Sequence, residues 1–537
     1  MDDYIKEINN IKYLEINNCH FIICGISFNI LKDYKNEEYS NQLNFIFDIL
    51  NLFKDKVNDK MIIDLIFDKE NDLPNDVSFY QYFLIIFYSF LNIYYTNNQF
   101  ILVKFPQLFP HNQTIDFNYS IEINLSNKEI LLNKRKYIYN SQQRKQMEIV
   151  EKIISQIDES LLLKNNKLFQ YNFTCFAGTF DRCHRGHYFL IQTSLLLSKN
   201  HCFIGVCCNE MIKHKGSFSL LQSNYVRKKK IEEIVKINGN NSNNNNIEIK
   251  TIYDPVDMAG TEKNLDCLIV TSETYKGGLY CNEIREKNNI KPVELCTINV
   301  IKISLNDNDK ISSSILRKEI LDMITIEKLD KMNFIFKNLL NDLKCENEDL
   351  ISFWWNEIVE KYTKKWKYYH NINHIYSFIE LYNKYNNLIE NNKNEFLISI
   401  FFHDIIYIPS KNNNKKESIK LFNLFYEEIK PNNLNKDNVI EFINEIDNHL
   451  LEKDYLNDIN LFLDMDIYII AEKNWEDYEN KIRNEYNYLN FDIYKNKRKE
   501  FLLGLTKKKK IFRTKIFYNE YEEKARENIN NLLKQLS

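Results

Sequence analysis

Two histidines with an arginine and a glycine between them, His184 and His187, close the stretch FTCFAGTFDRCHRGH (173–187), and an apolar run follows at once over 188–197. A β-forming segment, the turn Ala177-Gly178-Thr179-Phe180-Asp181 and a helix start, in that order, make a cradle for a phosphate. Gly178 lets the backbone come close to an anion, Thr179 offers a hydroxyl or its N–H, and the two histidines stand where the positive end of a helix already favours negative charge. Lys213 reaches a phosphate as a flexible point charge, and Arg227 opens a helix in LLQSNYVRKKKI. The loop Ser272-Glu273-Thr274-Tyr275-Lys276-Gly277-Gly278 is polar and ends on glycines. Ser312-Ser313-Ser314 cap a helix that runs on through Arg317 and leave N–H groups for an anion. Each feature alone has a plainer reading, as a surface histidine pair or a helix cap. Their succession along one chain points to nucleotide handling.

A second set of residues suits a metal. Tyr369-His370-Asn371-Ile372-Asn373-His374 spaces two histidines four apart, on one face of a helix. His403-Asp404 follows inside the apolar FLISIFFHDIIY, and His449, Asp464 and Asp466 come later. Histidines and carboxylates converging from separate helices hold divalent cations. An adjacent His-Asp pair in so apolar a segment is costly to bury unless it binds something.

The elements that must position these groups differ along the chain. Between 172 and 323, apolar strands (173–176, 201–207, 247–252, 266–270, 293–298) alternate with helical patterns (187–197, 224–236). That alternation predicts a parallel sheet with helices on both faces and ligands at the carboxyl ends of the strands. The asparagine-rich run 238–246 packs no core and reads as a surface insertion. Residues 324–349 read as a helical connection, and 350–537 as an all-α domain, with helical patterns at 396–402, 439–446 and 478–488. Residues 1–168 mix alternating apolar runs (21–30, 100–105) with helical stretches (41–53, 134–163) and predict an α/β region with no catalytic set. The expected organisation is an N-terminal α/β region (1–168), a Rossmann-like α/β domain (169–325), a helical linker (326–349) and an all-α domain (350–537).

A formal net charge of −3 gives no electrostatic footprint for nucleic acid. Eleven cysteines without a CxxC pair suggest neither a disulfide framework nor a zinc site, so a reducing, cytoplasmic setting is expected. The acidic start MDDYIKEINN does not read as a leader. The apolar segment 78–95 carries Gln81, Ser89 and Asn92, and reads as a buried helix in place of a membrane span.

AGTFDRCHRGH, LLQSNYVRKKK, YDPVDMAG, VTSETYKGG and ISSSILR, taken together over about 172–322, resemble the phosphopantetheine adenylyltransferase domain of eukaryotic coenzyme A synthase, a member of the HxGH nucleotidyltransferases. Ala177, where that family usually has glycine, and Cys183, in place of an apolar residue, are departures. The resemblance implies transfer of AMP from ATP, accompanied by Mg2+, to 4′-phosphopantetheine. It places His187 and Lys213 on the α-phosphate, Thr179 on the acceptor, His184 beside the triphosphate, and Ser312, Ser313, Ser314 and Arg317 on the β- and γ-phosphates. Gly178, Arg227, Ser272, Glu273, Lys276 and Gly277 complete the expected ligand contacts. No GxxxxGK[ST] motif occurs, so the chain is expected to stop at dephospho-coenzyme A. Another phosphate acceptor is the alternative.

From Trp354 onward, YHNINH, FFHD, LDMDI, IRNEY and EEKARENI resemble the HD superfamily of metal-dependent phosphohydrolases. The resemblance implies His374, His403, Asp404 and Asp466 as ligands of Mg2+ or of a transition metal such as Mn, Fe or Co, with Asp464 the rival of Asp466. It further implies His370 as a proton donor and His449 as support for a second ion. A binding or regulatory module that keeps the site without turnover is the alternative.

Overall fold

In the computed structural model, residues before 166 are described chiefly over 16–26, 57–67, 76–94, 100–105, 119–124, 129–132 and 135–138, with a few single positions between. From 166 onward all are described except 217–219, 239–245, 302–310, 452, 454 and 537. The asparagine-rich insertion and most of the helical stretches expected over 41–53 and 134–163 lie outside the described residues. The chain divides into two units, Met1–Lys318 and Glu319–Ser537.

The first unit begins with β1 (Ile16–Ile26), β2 (Val57–Phe67), α1 (Val77–Tyr94), β3 (Phe100–Lys104), β4 (Tyr119–Asn124), β5 (Glu129–Leu132) and β6 (Arg135–Ile138). These strands form one sheet in the order β3-β2-β1-β4-β5-β6. Its first four members are parallel, and β4, β5 and β6 pair antiparallel. Strand β6 corrects the helical reading of the basic stretch 134–163. Leu132 and Arg135 face each other across a hairpin, and the ladder's hydrogen bonds override a helical charge pattern.

The nucleotide-type motifs fall in the second half of the unit. In order come β7 (Tyr171–Gly178), α2 (Arg185–Leu197), β8 (Ser198–Cys207), α3 (Asn224–Asn238), β9 (Asn246–Ile252), β10 (Cys267–Thr271), α4 (Tyr275–Lys287), β11 (Glu294–Ile298) and α5 (Ser313–Met323). The five strands make a parallel sheet in the order β11-β10-β7-β8-β9, so β7 is central and its carboxyl end feeds the HRGH turn. Near-continuous apolar runs such as HCFIGVC suit strands covered on both faces. Ala177 sits in β7 opposite Gly205, and a Cβ on residue 205 would lie 3.0 Å from that of Ala177. The glycine across the ladder therefore makes room for the methyl that departs from the family pattern.

Helix α1 is apolar on nearly every face, and Phe83, Phe87, Tyr88 and Leu91 share one core with Ile191 and Leu195 of α2 and Ile204 of β8. It is a buried helix, as its polar residues suggested: Gln81 Oε1 accepts a hydrogen bond from Leu163 N–H at 2.9 Å. Among the described residues no helix is long and apolar enough to cross a membrane.

The second unit contains α6 (Ile326–Asp342), α7 (Glu348–Tyr362), α8 (Ile372–Tyr385), α9 (Lys393–Phe402), α10 (Asn414–Ile429), α11 (Lys436–Glu445), α12 (Asn457–Ile467), α13 (Trp475–Glu485), α14 (Phe491–Lys507) and α15 (Lys515–Gln535). No strand occurs among its described residues. Aromatic side chains hold it together: Trp354 meets Phe425 edge to face with Phe402 tilted against Phe425, and Phe396 meets Phe462 edge to face with Phe378 and Phe442 tilted against Phe462. Helix α6, in the stretch expected to be a connection, buries Met332, Phe336, Leu339 and Leu340 and packs on α7 and α8, so it belongs to this bundle.

Candidate functional site

Beyond Gly178 the backbone turns sharply, with Phe180 and Arg182 at φ of 54° and 44°. It then enters α2 with extended geometry at His184, the N-cap. His187 is the third helical residue. The His184 N–H donates to His187 Nδ1 at 3.4 Å, and the two rings stack with centroids 4.0 Å apart. Accepting at Nδ1 puts the neutral ring's proton on Nε2, where it can be donated to a ligand. Gly186 leaves room for this pairing, since a Cβ there would lie 3.1 Å from the His184 ring and 3.3 Å from Ile311, and both would have to shift to accept it. His184 Nδ1 is buried with no hydrogen-bond partner in the structure, an atom that a ligand would satisfy.

Burial, reinforced by the Lys215 ammonium, lowers the His187 pKa to about 4, and burial with its charged neighbours holds His184 well below the ordinary value. Both imidazoles are therefore neutral at pH 7. The unfolded chain takes up the His187 proton near pH 6.5, whereas the folded chain resists until about pH 4, so stability is lost as pH falls through that window. His187 should contribute a fall in the urea midpoint between pH 6.5 and 4, and His187→Gln should flatten part of that slope. An identical slope in the variant would remove His187 as a cause.

The stacked histidines face a cavity of about 700 Å³ at the carboxyl ends of the strands, also lined by Gly178, Thr179, Glu273, Gly277, Ser312, Ser313, Ser314 and Arg317. The lysine at its wall is Lys215, whose Nζ donates to Thr179 Oγ1 at 2.6 Å. Lys213, two residues earlier at the end of a helical turn, is exposed and outside the lining, as are Ser272 and Lys276. Arg227 is fully buried behind the turn, where it donates to the carbonyls of Thr179 (2.7 Å) and Gln222 (2.9 Å) and to Asn209 Oδ1 (2.9 Å). It braces the cradle without lining it.

Asp181 is the residue that sequence reasoning passed over. Fully buried, it pairs with Arg317 Nη1 at 2.5 Å and accepts from Gln222 N–H at 2.9 Å, while its carbonyl accepts from Ser313 Oγ at 2.6 Å. One carboxylate thus ties the HRGH turn to the serine helix. A lone acid amid phosphate-handling residues was the available signal.

In the helical unit, Asn371 caps α8 by accepting from Asn373 N–H at 2.9 Å, so His370 stands just outside the helix and His374 within it. The two are not on one helical face as the spacing implied, because the cap side chain ends the helical geometry between them. His374, His403 and Asp466 converge: Nε2 to Nε2 is 3.1 Å, and Asp466 Oδ1 lies 3.3 and 3.8 Å from the two rings. With His403 Nδ1 3.0 Å from the Ile400 carbonyl, the proton belongs on Nδ1 and the Nε2 lone pair points into the cluster. Two ring nitrogens and a carboxylate so arranged fit a divalent cation. Asp404 Oδ2 stands at the edge, 3.5 Å from His403 Nε2 and 3.9 Å from His370 Nε2. His449 Nε2 is 2.9 Å from Asp466 Oδ2. Asp464 faces the other way and accepts from the backbone N–H groups of Arg513 and Thr514, both at 2.7 Å, at the start of α15. Glu485, unassigned from sequence although IRNEY contains it, accepts from the N–H groups of Tyr369 and His370 and lies 2.6 Å from His370 Nδ1.

Residues 175–319 match the cytidylyltransferase-like family. The chain is 33% identical over 153 residues to a phosphopantetheine adenylyltransferase of Thermococcus kodakarensis, covering 28% of this chain and 88% of that protein. It is 33% identical over 146 residues to one of Pyrococcus horikoshii (27% and 88%) and 24% identical over 151 residues to one of Saccharomyces cerevisiae (28% and 48%). A cytidylyltransferase-like nucleotidyltransferase domain is thus present. Within that class, the chain belongs to the family of phosphopantetheine adenylyltransferase homologues.

Proposed function

We propose that the first unit transfers AMP from ATP to 4′-phosphopantetheine, giving dephospho-coenzyme A and pyrophosphate. The observation that carries this reading is the meeting, at one cavity, of the neutral His184–His187 pair, Lys215 on Thr179 and the serine-capped start of α5. An acceptor phosphate oxygen attacks the α-phosphorus, the bond to the β-phosphate bridging oxygen breaks, and pyrophosphate leaves. The acceptor is already a nucleophile, so alignment and charge stabilisation supply the rate. His187 Nε2–H and Lys215 donate to the α-phosphate as its charge grows, and the free N–H groups at the head of α5, with Arg317, hold the departing phosphates. A divalent cation accompanying ATP would neutralise part of the triphosphate charge. The test is incubation of the purified chain with ATP and 4′-phosphopantetheine. Dephospho-coenzyme A should form without coenzyme A, and formation of an adenylylated product from a different phosphate acceptor alone would overturn the assignment.

The lysine assignment is separately testable. Lys215→Ala should lower kcat by roughly 10²-fold, the typical cost of removing one transition-state donor, whereas Lys213→Ala should leave it nearly unchanged. The reverse pattern would restore Lys213.

For the second unit, the convergence of His374, His403 and Asp466 favours a metal-dependent phosphohydrolase of the HD type, with Asp404 as a fourth ligand and His370 facing the leaving group. A cation bound there would supply the Lewis acid that polarises a phosphate ester. Glu485 and the stacked Tyr407 ring, 3.7 Å from that of His370, hold the imidazole in place.

A further inference from the structure

Helix α2 has two working faces. Gly186, His187 and Leu190 line the cavity, while Tyr188, Gln192 and Leu195, spaced as one helical stripe, turn toward the N-terminal layer. There the Tyr88 hydroxyl of α1 donates to Gln192 Oε1 at 2.5 Å and accepts from Val103 N–H of β3 at 3.2 Å. Gln192 Nε2 donates in turn to the Val103 carbonyl and to Asn238 Oδ1 of α3 (3.0 Å). Tyr88, Gln192 and Asn238 are all buried, at 0%, 4% and 3% exposure. Rings reinforce the contact, with Tyr88 edge-on to Tyr188. Just before β7, Asn166 returns to the start of α1, its carbonyl accepting from Val77 N–H at 3.0 Å.

A side-chain amide so enclosed is a costly way to fill space, since every atom must be matched and a lost partner leaves a buried polar group unpaired. Apolar packing would join two layers with less constraint. What the network adds is direction: it fixes the rotation and the axial position of α2 against both β3 and α3, and α3 carries the Arg227 that braces Thr179 from behind. We propose that the N-terminal α/β layer is a working part of the nucleotidyltransferase, and that Gln192, clamped by Tyr88 and Val103, is a positioning residue that sets where His184 and His187 stand in the cavity. This rests on the adenylyl-transfer reading for its kinetic assay.

The test uses the full chain with Tyr88→Phe, Gln192→Met and the double variant, all close to the native side chains in volume. Circular dichroism is used to choose a temperature at which every variant is folded. Each single variant should lower kcat by about tenfold or more with the KM for ATP little changed, the pattern of a lost alignment. The double should be no worse than the poorer single, because both break one network. Full kcat in folded variants would overturn the proposal and leave the network a stabilising contact only. If the wild-type chain makes no dephospho-coenzyme A, the functional reading fails by itself. The positioning claim is then decided by hydrogen exchange over 184–192, which should accelerate in folded Gln192→Met, and unchanged exchange there would sink it. A folded variant inactivated only through a raised KM for ATP would likewise overturn it, since that outcome marks lost binding in place of lost alignment.

Discussion

Substituting His187 by alanine is expected to slow adenylyl transfer by roughly 10²-fold or more, while ATP binding weakens far less. The reason lies in the tautomer. With Nδ1 engaged by the His184 N–H, the neutral ring presents a single donor at Nε2, in a cavity that also holds Lys215. A donor held there before substrate arrives needs no reorganisation as the α-phosphate gains charge. His187→Gln places an amide N–H close to the Nε2 position and should recover part of the loss. Steady-state kcat and KM for ATP, with calorimetric ATP affinity, separate the two effects, and unchanged turnover in a folded His187→Ala enzyme would end this assignment.

Replacing His403 and Asp404 together by alanine should abolish metal uptake by the second unit, and with it any hydrolysis of phosphate esters, yet leave adenylyl transfer within about a factor of two, as expected for residues in an independent core. Losing one of two convergent ring nitrogens and the carboxylate beside it leaves His374 and Asp466 too few partners to hold a cation. Metal content by elemental analysis and turnover of a panel of phosphate esters, 4′-phosphopantetheine and adenine nucleotides among them, provide the readouts. Metal bound stoichiometrically by the wild type without turnover of any ester would instead favour a binding module. Full metal content in the double variant would place the ion elsewhere.

The sequence made some of this legible for identifiable reasons. Strands buried on both faces leave unbroken apolar runs, and the expected segments 201–207 and 247–252 sit inside β8 and β9 with end shifts of at most three residues. Motif order likewise placed His184, His187 and the serines around one cavity. What escaped was geometry that depends on partners far along the chain. Lys213 and Lys215 are chemically equal in sequence, and only the path after the short helical turn Asn209–Ile212 decides which ammonium reaches Thr179. Asp464 and Asp466 lie two residues apart on α12 and so point to opposite sides, but which side faces His374 is set by the packing of α8 and α15. The position of Asn371 between His370 and His374 was readable as a cap and contradicted a continuous helix. Strand β6 was hidden because a four-residue strand of Arg, Lys, Tyr and Ile carries almost no periodicity of its own.

The buried Asp181–Arg317 pair joins residues 136 positions apart. Closing so long a loop is entropically slow to accomplish and is rewarded only at the end. The cradle from β7 to α2 is local and can form early, but the serine helix reaches it after β8 through β11 have been laid down. During refolding, strand burial should therefore run ahead of the return of catalysis. A chain arrested in synthesis before Ile311 would lack the side chain that closes over Gly186, and its histidine pair would stand open until the far end of the unit arrives.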